Sequence, residues 1–411
     1  MWDPYADFEK FVLPNGLTVF VSTWPERDWE YMGFIVHAGA KDDPEGLEGL
    51  AHFCEHRLTK DARLDHEQIC ENFIKAGGNC TLGTTKTNKT VFDFFAPAKQ
   101  RFISKVLQLF SKILFNAKFE CDLAKEKRVI KSEYDEKYSD KFRFDTAKRW
   151  KQAIYLGNWR SRVIDGLGTP ETIWRIENSD LSCFYNRYYI PQNISIVALG
   201  GMKKQKIISL LTDNGFDIFK EGKENPLLIP ISKISPPTEN LYEYIIPNKG
   251  AGYFSYVAIP GVISPFALII LNNMVGNALM NKLRWKKNFI YGIRTQIRTN
   301  SDIQEFYISA KGFPNNQIKE IMDLIEITLQ EAINVILFRK IRKILCAPNL
   351  IDVSGSNVFQ SAMDNIGDTR KIFSLKEGNE NFKKVTFSDI KEAAQYLLPE
   401  NRFTMIRKSD K

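Results

Sequence analysis

The chain carries the same short phrase twice. Ser179-Asp180-Leu181 is followed by Pro191-Gln192-Asn193 and an apolar run over 194–199. Ser388-Asp389-Ile390 is followed by Pro399-Glu400-Asn401 and a run over 402–406. In each copy Ser is expected to cap a helix, and Pro with Asn to break it before a final strand. The offset of about 208 residues is half the chain, and self-similarity at that spacing predicts two related domains in tandem. A length of 411 residues leaves room for two cores. The stretch from 205 to 240 holds Pro226, Pro230, Pro236 and Pro237 and reads as their junction. The expected division is a first domain over 1–205, a linker over 206–240 and a second domain over 241–411.

Local patterns set the fold class. Asn15-Gly16 is a turn leading into a strand at Leu17–Val21, and Tyr31–Ala38 is a second strand-like run. Asp43-Pro44 signals a helix start, and Leu47, Leu50, Phe53, Cys54 and Leu58 then form an apolar stripe. Asn79–Thr85 and Thr90–Ala96 read as strands around a polar turn, and long amphipathic helices are expected near 99–117 and 121–138. Strands, then helices, then a closing strand make an α+β layout, each domain a mainly antiparallel sheet packed with helices.

Composition excludes some classes. A hydrophobic content of 44 % and a charged content of 26 % fit a soluble protein, and no run of eighteen apolar residues predicts a membrane span. The net charge of +8 is scattered, with no RNA-binding signature or phosphate loop, so no nucleic-acid partner is expected. The opening MWDPYADFEK is acidic and poor in apolar residues, which argues against a signal or transit peptide. With no C-x-x-C among six cysteines, reduced thiols and a cytoplasmic location are expected.

Chemistry concentrates at His52-Phe53-Cys54-Glu55-His56, an H-x-x-E-H run. On a helix, His52 and His56 fall on one face and can grip one metal ion. Glu55 can reach a water there without being a ligand. The chain has only four histidines, so a chance match is improbable, and the second half has none to copy the site. A catalytic zinc of this type needs a third ligand, usually a carboxylate. Glu126, Glu133 and Glu136 lie on the helix expected at 121–138, with Glu126 and Glu133 on one face. Spacing does not choose between those two.

The chain resembles the pitrilysin/insulinase family of inverted-motif zinc peptidases, in its short two-domain form. The likeness lies in Gly49-Leu50-Ala51-His52-Phe53-Cys54-Glu55-His56 and in Glu126-Lys127-Arg128-Val129-Ile130-Lys131-Ser132-Glu133. Asn15-Gly16-Leu17, Gly78-Asn79, Gly168-Thr169-Pro170-Glu171 and both Ser-Asp…Pro-x-Asn segments match as well. The resemblance implies Glu133 as third zinc ligand, Glu126 as the glutamate supporting the site and Glu55 as general base. It also implies that Arg284 and Tyr291 contact substrate near the zinc, and that Asn79, Cys80 and Thr81 pair with an extended peptide. Around the metal motif three features depart from the family: Cys54 replaces Leu, Arg57 follows the motif in place of Met, and Lys60-Asp61 replaces the next Gly. Asn288 stands for the Gly between Arg284 and Tyr291, where a tight turn is still open to it.

The expected function is a zinc endopeptidase, with one Zn2+ per chain, acting on short or unfolded peptides in a chamber closed by dimerisation. A homodimer is expected, because one chain carries both the metal motif and the Arg/Tyr pair. The alternatives are a non-catalytic scaffold or assembly subunit, and the catalytic subunit of a heterodimer with an inactive partner.

Overall fold

The computed structural model describes residues 2–61, 66–120, 122–139, 141–155, 157–218, 234–246, 249–298, 302–347 and 354–410. Strands with alternating or continuous apolar faces assemble into two sheets. The first has six strands: β1 (Glu9–Val12), β2 (Thr18–Thr23), β3 (Trp29–Val36), β4 (Asn79–Thr85), β5 (Thr90–Pro97) and β6 (Ile194–Gly200). Their order is β1-β2-β6-β3-β5-β4, antiparallel except for the β2/β6 pair. The second sheet has β7 (Leu241–Ile245), β8 (Ala251–Pro260), β9 (Gly292–Arg298), β10 (Ile303–Phe313) and β11 (Phe403–Lys408). Its order is β7-β11-β8-β10-β9, again with one parallel pair, β7/β11. Without β1, both sheets follow one scheme: the last strand inserts parallel beside the first, and the third lies at the far edge. The fold is α+β with a repeated topology, as the sequence repeat predicts.

The described residues fall into two compact units, and neither is continuous in sequence. The first draws on Met1–Ser139, Asp165–Leu227 and Ile351–Leu375; the second on Asp140–Ile164, Leu228–Leu350 and Lys376–Lys411. The contiguous division expected at 205 and 241 therefore differs from the packing. The expected linker also begins inside structure: Lys204–Asp213 is a helix of the first unit, with Ile207, Leu210 and Leu211 buried. Residues 219–233, including Pro226 and Pro230, lie outside the described residues.

In the first unit, α1 (Leu50–Asp61), α2 (His66–Lys75), α3 (Gln100–Phe115) and α4 (Ala124–Lys137) follow the early strands. Met32, Phe34 and Val36 of β3 share a buried cluster with Leu50, Phe53, Cys54 and Leu58 of α1 and with Ile103, Leu107 and Phe110 of α3. Tyr31 and Ile35 point the other way, as strand alternation requires, into a cluster with Val358, Phe359, Ala362, Met363 and Ile366. Those five belong to a helix at Gly355–Thr369, which covers the sheet's second face. In exchange, α5 (Lys141–Ile154) packs in the second unit, where Trp150 stacks on Tyr256 with ring centroids 4.4 Å apart.

Two expected helix starts are corrected. The helix bearing the histidines, expected soon after Asp43-Pro44, begins six residues beyond Pro44, at Leu50. Asp43 still caps it from a distance: its buried carboxyl accepts hydrogen bonds from the Gly49 and Ala51 amides at 2.7 and 2.8 Å. In the repeated phrase each helix starts one residue before the Ser, at Asn178 and at Phe387. The following Asp closes each capping box, Asp180 on the Glu177 amide and Asp389 on the Thr386 amide.

Candidate metal centre

Helix α1 sets His52 and His56 one turn apart, with their Nε2 atoms 3.2 Å from each other. Helix α4 supplies the carboxylate. Glu133 Oε2 lies 3.6 Å from His52 Nε2, and Oε1 lies 3.5 Å from His56 Nε2. Among the described residues, these three are the group able to hold a metal ion, with ligand atoms within 4.8 Å of one another. Ligands about 2.0–2.2 Å from a tetrahedral zinc would stand roughly 3.3 Å apart, so the observed spacings fit such an ion. Two imidazoles and a carboxylate are also the donor set of catalytic zinc sites that keep a position open.

Glu126, one helical face-repeat before Glu133, is buried, and its Oε1 lies 2.9 Å from His56 Nδ1. That contact keeps the His56 proton on Nδ1 and leaves the Nε2 lone pair directed at the cluster. Burial works to lower the His56 pKa, but Glu126, Glu55 and Glu133 outweigh it, and the net shift is upward. His52 is pushed down to about 3 by burial and by neighbouring His56. It is therefore neutral, the form that binds metal. Cys54 is fully buried in the main core and packs as a small apolar side chain. His37 is buried against Ser195 instead, with Nε2 and Oγ 2.8 Å apart.

Glu55 leans on a strand. Thr85 of β4 donates to its Oε2 from both the backbone amide and Oγ1, each at 3.1 Å. Gly83, at a φ of +147°, makes the room: a Cβ there would fall 2.3 Å from Glu55 Oε1. The β4/β5 register shifts between Thr81 and Thr84, so a bulge opens beside the carboxylate. Burial raises the Glu55 pKa above the ordinary carboxylate range, opposed by His56 and Thr85. Neither Gly83 nor Thr85 was singled out from the sequence. A glycine inside a strand pattern, which often marks close approach of another group, was the available signal for the first.

Strand β4 is the edge of its sheet, bonded to β5. Asn79, Cys80 and Thr81 lie along this edge, and Cys80 and Thr81 are half-buried. Arg284 and Tyr291 belong to the second unit. Arg284 lies in the last turn of a π-helical stretch at Met280–Lys286, donates to the Ile290 carbonyl at 3.1 Å and lies 4.9 Å over the Tyr291 ring. Asn288 takes the left-handed turn, with a φ of 53°. Tyr291 is 84 % exposed and Trp285 70 %. Among the described residues, no helix is long and apolar enough to cross a membrane.

Comparison with known proteins adds the family. Residues 19–153 match the profile described as Insulinase (Peptidase family M16), and residues 175–336 match the Peptidase M16 inactive domain. The chain is 25 % identical to the probable zinc protease PqqL of Escherichia coli over 209 residues, covering 49 % of this chain and 22 % of PqqL. It is 26 % identical to an uncharacterized zinc protease of Rickettsia felis over 307 residues, covering 72 % of both chains. The fold resembles the crystal structure of periplasmic PqqL with a TM-score of 0.82 at 17 % identity, over 98 % of this chain and 47 % of that one. It resembles a putative M16-like peptidase from Alicyclobacillus acidocaldarius with a TM-score of 0.81 at 16 % identity, over 98 % of both. The chain thus spans under half the length of PqqL. With both M16 profiles matched along one polypeptide and the two-domain fold repeated in these structures, the chain belongs to the peptidase M16 (insulinase/pitrilysin) family.

Proposed function

We propose that the chain is a zinc-dependent endopeptidase. One observation carries this reading: a His52–His56–Glu133 donor triangle with zinc-like spacing forms where α4 meets α1, and α1 also carries, beside the two histidines, a carboxylate, Glu55, that a sheet-edge strand holds in place. Zinc bound there would supply a Lewis acid and a water of lowered pKa, near ~7. Glu126 holds the His56 ring with its proton on Nδ1. Glu55 takes a proton from the attacking water and delivers it to the leaving amine. An extended peptide adds to the open edge of β4 along Asn79, Cys80 and Thr81, which sets the scissile bond beside Glu55. Arg284 and Tyr291 donate to the carbonyl oxygen as it gains charge.

A cytoplasmic location remains our proposal and rests on the cysteine usage; the relative PqqL is described as periplasmic. Homodimerisation would close the site to folded proteins, which restricts substrates to short or unfolded peptides. Elemental analysis of the purified chain and of its Glu55→Gln variant tests the core of the reading. Both are expected to hold about one zinc per chain, as a single three-ligand site requires. The variant is expected to lose hydrolysis of an unstructured peptide by a factor of about 10²–10⁴ or more. A variant cleaving at the wild-type rate removes Glu55 from the reaction, and a chain that takes up no zinc removes the metal.

A further inference from the structure

The edge strand carries a second reactive group. Cys80 of β4 and Cys70 of α2 bring their Sγ atoms within 3.9 Å of each other. Both side chains are half-buried at the rim of the first unit's main core, so small molecules reach them. By contrast, Cys54 is fully buried on α1. A disulfide needs sulfurs about 2.05 Å apart and tolerates only a narrow range of backbone separations. Here the missing distance is small, and the two elements that must supply it are a sheet-edge strand and a short helix packed on it.

We propose that Cys70 and Cys80 form a reversible disulfide that fastens α2 to β4. The oxidant is a low-molecular-weight disulfide, such as oxidised glutathione. The Cys70 thiolate attacks one sulfur of that disulfide, whose S–S bond breaks and releases one glutathione thiolate. Cys80 then attacks the Cys70 sulfur of the mixed disulfide, and the second glutathione leaves. Two protein thiols are oxidised, one small disulfide is reduced to two thiols, and the two protons end on them. In the reduced pair, burial and the adjacent Cys70 push the Cys80 thiol up to about 12, so Cys70 is the thiol that attacks first. The consequence is mechanical. The strand that supports Glu55 through Thr85 becomes covalently tied to a helix next to it in sequence. That consequence rests on the peptidase reading; the bond itself does not.

The test uses the full chain, reduced, freed of reductant and incubated in graded mixtures of reduced and oxidised glutathione. Samples are then blocked with a thiol alkylator and mapped by mass spectrometry. The expected product lacks two hydrogens in mass, yields one peptide pair linked through Cys70 and Cys80, and reopens with excess reduced glutathione. Cys70→Ser and Cys80→Ser are each expected to stop at a glutathione adduct on the remaining thiol. Hydrogen exchange of residues 79–85 is expected to slow severalfold in the oxidised form. Glutathione adducts on both cysteines without a link overturn the disulfide. A link without slower exchange overturns the fastening. Neither readout requires peptidase activity, so a failed disulfide and a failed peptidase reading are told apart.

Discussion

Glu55 illustrates how much a single carboxylate depends on what lies behind it. Its two oxygens meet different parts of one strand: Oε2 takes both Thr85 donors, and Oε1 faces the space that Gly83 leaves empty. Losing one hydrogen bond to a carboxylate costs about 1.5–3 kcal/mol, and displacing a base by an ångström can cost about 10²-fold in rate. Thr85→Val is therefore expected to lower kcat about tenfold with KM nearly unchanged, and Thr85→Ser to restore most of it. Gly83→Ala should be worse, because its Cβ would collide with the carboxylate. We expect a kcat loss of about 10²-fold with zinc content intact. Steady-state kinetics beside zinc analysis decide the matter: unchanged kcat in both variants would show that Glu55 does not lean on β4. This arrangement was the least legible part of the site. The metal motif is local and period-locked, so His52, Glu55 and His56 could be read directly. Thr85 touches Glu55 only because a sheet edge passes over a helix, and one chain's letters do not encode that contact.

At the scale of elements, β3 shows why some features were readable and others were not. Its alternation gave the strand, and alternation also decides which side chains are buried inside. Met32, Phe34 and Val36 face the helices of the main core, and Glu30 shares their parity. The outer face is covered as well, by the helix at Gly355–Thr369. That helix lies over three hundred residues away in sequence, so no window around β3 could have predicted it. The exchange of this helix for α5 is also why the contiguous domain boundaries failed. Glu30 accepts a hydrogen bond from the Met202 amide at 3.1 Å, and burial raises its pKa to about 8. The folded state thus keeps a proton that the unfolded chain has lost. Stability should fall as pH rises from about 4.5 to about 8 and level off above that. The full span is on the order of a few kcal/mol. Denaturant unfolding of wild type and Glu30→Gln across pH 5–9 checks this. The difference between them should move in favour of the variant as pH rises to about 8 and then level off, and a pH-independent difference would place Glu30's ionisation outside the folding equilibrium.

For the whole molecule, the repeat seen in the sequence became one strand order used twice, yet the two copies carry different chemistry. The first unit holds the donor triangle and Glu55. The second has no histidine and carries Arg284 stacked over Tyr291, with Tyr291 and Trp285 turned to solvent. An exposed aromatic tip beside a cation is a surface suited to meeting something outside its own unit. In the proposed homodimer, that something is a peptide held on the partner's β4, so each active site would combine one chain's metal centre with the other's Arg/Tyr pair. Two-fold homodimers are the commonest assembly, and a two-fold axis would build two such composite sites. Glu55→Gln and Tyr291→Phe homodimers should then each be nearly inactive, for different reasons. After subunit exchange, a mixed dimer has one site in which Glu55 and Tyr291 are both intact. Random exchange of equal amounts makes about half of all dimers mixed, so recovered activity should approach a quarter of the wild-type rate, by the symmetry of pairing. Light scattering establishes the dimer, and native mass spectrometry confirms that exchange has occurred. Confirmed mixed dimers with no recovered activity would mean that Tyr291 serves its own chain or plays no part, and the composite site would have to be given up.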